Sequence, residues 1–217
     1  MNIRLETKGD YIQVEELIRE AFWNLYVPGC DEHYLCHILR KHNDFISELD
    51  YVVELDGKIV ASIMYTHSYL INNNNDNDDE KIPVVSFGPL CVHPNYQRRG
   101  IGTALIEKTK ALVVNMGVPA IIIYGDPHNY CKHGFKNGID CQVSNMDGEY
   151  PLGLLVFELQ SGFFGDKKWK IRQSDAFDLD QDKAKEFDKR FNEKEKKYKY
   201  SQELFKMNIR AYLKQDS

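Results

Sequence analysis

Between an apolar run, Val84 to Val92, and a helix-like run, Ile101 to Met116, the chain reads Gln97-Arg98-Arg99-Gly100-Ile101-Gly102-Thr103-Ala104. A turn with two glycines at the start of a helix leaves the first N–H groups without intrahelical acceptors and pointing one way. The helix dipole adds partial positive charge at the same place. Such a turn takes an anion, and a pyrophosphate is the usual occupant. Glycine matters because a side chain would hold phosphate oxygens away from the backbone, and Arg98 and Arg99 add full charge. The expectation is a protein that grips a diphosphate-bearing molecule. A dinucleotide turn would carry a third glycine in G-x-G-x-x-G, where this chain has Leu105. The Gly-Lys-Ser/Thr of a P-loop is absent.

The rest of the pattern predicts an α/β chain, a mixed sheet with helices on both sides, in the order β-α-α-β-β-β-α-β-α-β-β. Ile3 to Leu5 reads as a first strand. Asp10 and Gln13 resemble a capping box before a helix whose apolar positions run from Val14 to Leu25. Pro28-Gly29 ends that helix, and Asp31 is placed to cap a second one carrying Tyr34, Leu35, Ile38 and Leu39. Tyr51 to Leu55 and Lys58 to Leu70 are strand-like, and Asp56-Gly57 between them signals a hairpin. Pro83 to Val92 is the next strand. Gly117 stops the helix opened by the glycine turn. Ala120 to Tyr124 reads as a strand buried on both faces, and Leu152 to Leu159 as another.

Composition divides the chain into 1–160 and a Lys-, Asp- and Glu-rich extension, 161–217, with at least one amphipathic helix carrying Ala184, Phe187 and Phe191. The aromatic stripe of that helix is expected to dock on the main domain, with a lid or dimer contact as the sharper alternative. Within the first part, 71–81 is a polar, acidic run that cannot pack a core and is expected to be a mobile loop. A net charge of -5 argues against nucleic-acid binding. No apolar run approaches the ~20 residues of a membrane span, and the N-terminus lacks the apolar core of a signal peptide. Five cysteines without a CxxC pair argue for a reducing, cytoplasmic setting rather than a disulfide framework.

Three features follow one another along the chain: the strand ending Leu90-Cys91-Val92-His93-Pro94, the motif Gln97-x-x-Gly100-x-Gly102, and, after the next strand, Tyr130-Cys131-Lys132-His133-Gly134-Phe135. This order resembles the GCN5-related N-acetyltransferase (GNAT) superfamily, over about residues 1–160 and most sharply over 84–135. Phe87-Gly88-Pro89-Leu90, Gly125-Asp126-Pro127 and Val27 to His33 are similar to a bacterial-type branch of predicted N-acetyltransferases. The resemblance implies a central twisted mixed sheet with a splay between two parallel strands. It also implies acetyl-coenzyme A as co-substrate, with its pyrophosphate on Gln97, Arg98, Arg99, Gly100, Ile101, Gly102 and Thr103. The pantetheine arm would insert as a pseudo-strand against Leu90, Cys91 and Val92. Gly88-Pro89 either bends this strand or forms a bulge that frees an amide to polarise the thioester carbonyl.

Tyr130 matches the position that serves as general acid in the family, and a phenol of pKa about 10 can protonate a departing thiolate. The alternative is that it only packs. The general base stays open, since Glu54, His67, Glu32, His33, His93, Asp126 and His128 all qualify by type. By resemblance, Glu32 and His33 wall the acceptor pocket. His33 and His37 lie four apart, but Glu-His-x-x-x-His is not a zinc-binding pattern, and no metal is expected. Cys91 and Cys131 lie near the presumed thioester, yet a small buried residue accounts for Cys91 better than a nucleophile. The expected activity is acetyl transfer to a small-molecule or peptide amine by direct attack. The competing classes are a non-catalytic acyl-coenzyme A binder and an interaction module using the acidic loop and charged tail. A homodimer stays open.

Overall fold

In the computed structural model residues 1–72 and 81–214 are described. The acidic run expected as a mobile loop lies, at 73–80, outside the described residues, while Asn72 and Lys81 already belong to strands.

Strand β1 (Asn2–Leu5) leads to helix α1 (Tyr11–Phe22) and helix α2 (Glu32–Leu39). The capping expectations fail at both helices, because each aspartate has stronger partners. Asp10 makes no cap bond. It accepts from both terminal nitrogens of Arg4, at 2.7 and 2.8 Å, and from Thr7 N at 2.8 Å. Asp31 instead accepts from Gln181 Nε2 at 2.9 Å. Helix α1 also ends earlier than its apolar spacing suggests, at Phe22, after which Asn24 takes a positive φ of 60°.

Next come β2 (Tyr51–Leu55), β3 (Lys58–Asn72) and β4 (Lys81–Val92). The β2–β3 hairpin turns on Asp56 and Gly57, both at positive φ, 49° and 75°, which matches strand twist. After β4 follow α3 (Ile101–Val114), β5 (Ala120–Tyr124) and the short helix α4 (Pro127–Tyr130). Gly117, at φ 71°, closes the turn after α3. Short strands β6 (Lys136–Asn137), β7 (Val143–Ser144) and β8 (Tyr150–Pro151) precede β9 (Leu154–Glu158). The extension supplies β10 (Trp169–Arg172), α5 (Gln181–Asp188), α6 (Tyr200–Arg210) and β11 (Tyr212–Leu213).

Among the described residues nine strands form one mixed sheet, ordered β1-β2-β3-β4-β5-β9-β6, with β10 joined to β3 and β7 joined to β10. The arrangement follows from the length of β3, about 50 Å at ~3.3 Å per residue. On one edge it pairs with β4 over most of its length. On the other edge β2 covers its first residues, and β10 pairs with Tyr69 to Asn72. Between them Ile46 N donates to Tyr65 O at 3.0 Å and His67 N to Asp44 O at 2.8 Å. The compositionally distinct extension is therefore part of the sheet.

Helix α3 packs on one face through Ile101, Leu105 and Val113, against Ile63, Tyr65, Phe87 and Ile121. Helices α1 and α2 pack on the other through Val14, Leu17, Ile18 and Leu39, against Val52 and Met64. Ala120 to Ile123 of β5 are all buried, as a strand covered on both faces requires. Helix α5 docks on α1 and α2. Phe187 of α5 and Phe191, which lies past the helix end at Asp188 rather than within it as expected, sit 5.5 and 5.2 Å from the His33 ring, and Arg19 Nε donates to Asp188 Oδ1 at 2.6 Å. Helix α6 docks beyond it, where buried Gln202 donates to Asn24 O at 3.1 Å and Ser201 to Leu25 O at 2.8 Å. No helix among the described residues is long and apolar enough to cross a membrane.

Candidate functional site

The glycine turn is built from the end of β4. His93 Nδ1 accepts from Asn95 N at 3.2 Å, starting a single 3₁₀ turn, Pro94–Tyr96. Gln97 Nε2 donates back to Val92 O at 3.1 Å, so this side chain braces the turn. Arg98 and Gly100 both have positive φ, 60° and 78°. The first helical bond of α3 runs from Ala104 N to Gly100 O at 2.9 Å, which leaves the amides of Ile101, Gly102 and Thr103 without an intrahelical acceptor. A Cβ on Gly100 would meet nothing within 4 Å. Glycine is thus required there by dihedral angle, and the space over the turn is open. Arg98, Arg99 and Thr103 are exposed around it, with the Arg99 guanidinium 5.3 Å from the Tyr96 ring. Ile101 differs: its side chain is buried under α3.

Strands β4 and β5 are parallel neighbours paired only at Val85 with Ile121. Beyond that point β4 keeps its bonds to β3 but has no strand on its other edge among the described residues. The expected splay is this divergence. Leu90, Cys91 and Val92 lie on that edge, with Leu90 and Val92 packed toward α3 and Cys91 toward α1. Burial pushes the Cys91 thiol up to about 11, and its Sγ lies 3.5 Å from Ser62 Oγ, so it is no activated nucleophile. Gly88-Pro89, a cis peptide, does form a bulge. Ile63 faces Leu90 and Tyr65 faces Phe87, so Met64 alone opposes two residues.

Tyr130 ends α4, which Asp126 caps by accepting from His128 N at 2.9 Å and Pro127 opens. Its ring packs 5.6 Å from Phe87, the residue before the bulge, and 5.9 Å from Phe135. A Cβ on Gly125 would lie 2.5 Å from Tyr130 Cε2, so glycine there makes room for the ring. Gly134, at φ 88°, returns the chain so that Phe135 enters the core. Burial, then the nearby Tyr26, Asp126 and Tyr65, holds the Tyr130 phenol well above its ordinary value.

The two acceptor-pocket candidates part company. Glu32 opens α2, and burial pushes its carboxyl up to about 7. Tyr26 is raised to about 12 by burial and by the Glu32 and Asp126 carboxylates, and its ring stacks 4.6 Å from Phe205 of α6. Glu32, Tyr26, Asp126 and Tyr130 therefore share one neighbourhood. His33 faces away. It is fully buried under α5, with Nε2 3.1 Å from Asp188 Oδ1 and burial lowering its pKa. An acceptor reaches it only if that helix lifts. His37 turns to Glu15 at 3.0 Å, so the two histidines do not converge on a shared site. Glu54 is held by Arg4 at 2.9 Å.

Glu32 supplies a pH test. Its folded-state pKa lies above the unfolded value of about 4.3, so the folded chain keeps a proton that the unfolded chain loses. Stability falls as pH rises from about 4.5 through 7 and is then level. Glu32→Gln abolishes this loss. Relative to the parent protein, the variant gains about 1–3 kcal/mol in unfolding free energy at pH 8 over its value at pH 5. An equal difference at both pH values would refute the assignment.

Beside the bulge lies a cavity of about 720 Å³, bordered by His67 and Tyr69 of β3, Tyr124 of β5 and Phe177 of the extension. A Cβ on Gly88 would lie 3.6 Å from Phe177 Cε1. Of these residues the sequence singles out only His67. Phe177 lies 77 residues beyond Gly100 of the glycine turn, in a charged segment, with no local motif to mark it.

The model of the Acetyltransferase (GNAT) family matches residues 14–135. Uncharacterized N-acetyltransferase YhbS of Escherichia coli K12 is 21% identical over 169 residues, covering 76% of this chain and 93% of that protein. The crystal structure of E. coli YhbS in complex with CoA superposes with a TM-score of 0.69 at 19% identity, over 82% of this chain and 92% of that one. A GNAT family acetyltransferase from Brucella melitensis, in complex with acetyl-CoA, gives 0.58 at 20% identity, over 81% and 97%. The family match spans more than half of the chain and takes in the turn, the bulge and Tyr130, so this chain belongs to the acetyltransferase (GNAT) family.

Proposed function

We propose that the chain transfers acetyl from acetyl-coenzyme A to a primary amine by direct attack. The observation that carries this reading is the unpartnered edge of β4, which runs from the glycine turn to the bulge beside Tyr130. Gly88 to Val92 span about 15 Å at ~3.3 Å per residue, which suits an extended pantetheine arm. The relatives crystallised with CoA and acetyl-CoA support the choice of co-substrate. The free amides of α3, with Arg98 and Arg99, hold the pyrophosphate, and Leu90, Cys91 and Val92 offer backbone groups to the arm.

The neutral amine nitrogen attacks the thioester carbonyl carbon. The C–N bond forms and the carbonyl oxygen becomes an oxyanion, held by an amide that the bulge frees. Collapse breaks the C–S bond, and the thiolate takes the Tyr130 proton. The ammonium of the adduct gives up a proton, which restores the phenol and leaves an N-acetylamine and free coenzyme A. Burial raises the phenol's pKa and keeps it in the donor form at neutral pH. It also disfavours an unprotonated thiolate.

The test is release of free thiol from acetyl-coenzyme A with a panel of primary amines, alongside calorimetry. Gly100→Val forces a β-branched residue to positive φ and fills the open space over the turn, and it weakens acetyl-coenzyme A binding at least tenfold. Tight binding without transfer to any amine would favour a non-catalytic acyl-coenzyme A binder.

A further inference from the structure

The cavity beside the bulge has one dominant charge. Four carboxylates line it, Asp44, Asp147, Asp175 and Asp178, against one guanidinium, Arg172. They come from separate stretches of chain: the loop before β2, the β7–β8 turn and the segment after β10. Asp44 and Asp175 flank His42, at 3.7 and 3.0 Å. Asp147 and Asp178 have no ion-pair partner among the described residues. The remaining wall is mixed: aromatic Tyr69, Tyr124 and Phe177 stand beside polar Asn145, Gln173 and Ser174.

Two contacts join this cavity to the reacting end. Phe177 lies against Gly88 of the bulge, and Tyr124 directly precedes Gly125, on which the Tyr130 ring rests. The cavity therefore adjoins the bulge across the Phe177 ring.

We propose that this cavity is the acceptor site and takes a polyamine-like polycation. One nitrogen is presented neutral at the bulge while the others stay protonated among the carboxylates. The inference rests on the acetyltransferase reading above. Carboxylates gathered in a concave, partly apolar wall focus their field and draw in a cation. The aromatic faces hold methylene stems and stabilise ammonium groups. An anionic acceptor would be repelled, and a monoamine would leave the distal carboxylates unpaired.

The experiment measures kcat/KM for spermidine and for n-butylamine, which share a methylene chain but differ in the number of cations. The expected ratio is tenfold or more in favour of spermidine. In Asp147→Asn/Asp178→Asn that ratio falls about tenfold, since each partly exposed ion pair contributes up to about fivefold. Thermal melting verifies that the variant is folded. Added salt lowers the same ratio in the parent protein, which tests the charge without any substitution. A ratio of one or less in the parent protein overturns the proposal, as does a ratio that neither the double variant nor salt moves. Absence of thiol release with both amines, in a protein that binds acetyl-coenzyme A, overturns the acetyltransferase reading and this inference with it.

Discussion

Tyr130→Phe lowers kcat by about 10²–10³-fold while leaving the KM for acetyl-coenzyme A within about twofold, because a positioned general acid contributes on that order. The substitution is nearly silent in packing. The ring keeps its contacts with Phe87 and Phe135 and its seat on Gly125, and only the phenolic oxygen is lost. A drop of that size corresponds to about 3–4 kcal/mol in the barrier. Steady-state thiol release, with melting temperatures of both proteins, separates loss of chemistry from loss of fold. Full turnover in the variant would remove the acid role and leave Tyr130 as a packing residue.

Trp169→Ala costs about 3–5 kcal/mol of stability, the usual penalty for emptying a large buried aromatic site. That is a large part of the ~5–15 kcal/mol that holds a domain together. Trp169 is 2% exposed, stacks 5.7 Å from Phe163 and packs with Val143, Leu154 and Ile171. Its strand pairs on one side with β3 and on the other with β7. The loss therefore loosens the far half of β3 as well as the extension. Trp169→Phe costs much less, because its indole N–H has no acceptor among the described residues and nothing polar is forfeited. Urea unfolding of the two variants checks both values. A loss under about 1 kcal/mol for the alanine variant would mean that the extension is dispensable to the sheet.

The backbone geometry of the glycine turn and of the tyrosine segment was legible because it is local. The dihedral demand at Gly100, the free amides of α3 and the room at Gly125 for Tyr130 are satisfied within a few residues of the motifs that announce them. At Gly88-Pro89 a bend and a bulge both stood open in the sequence, and the register against β3 decided for the bulge. The capping expectations failed through long-range competition, since a carboxylate that could bond its own helix was claimed by Arg4 or Gln181. Glu32 and His33, adjacent in sequence and indistinguishable by type, took opposite fates. Successive helical residues point about 100° apart, and α5 covers only one of the two directions.

From the chain alone came the mixed α/β pattern, the β2–β3 hairpin and a glycine turn suited to an anion, while the coenzyme and the role of Tyr130 rest on the family resemblance. The hairpin and the turn are each written in a short stretch where backbone sterics and hydrogen bonding leave one outcome. The tertiary structure decided what lies beside the bulge. It placed the extension in the sheet, closed α5 over His33 and brought Phe177 to Gly88 across ninety residues. Those contacts depend on which buried surfaces fit together, and no local pattern records that fit.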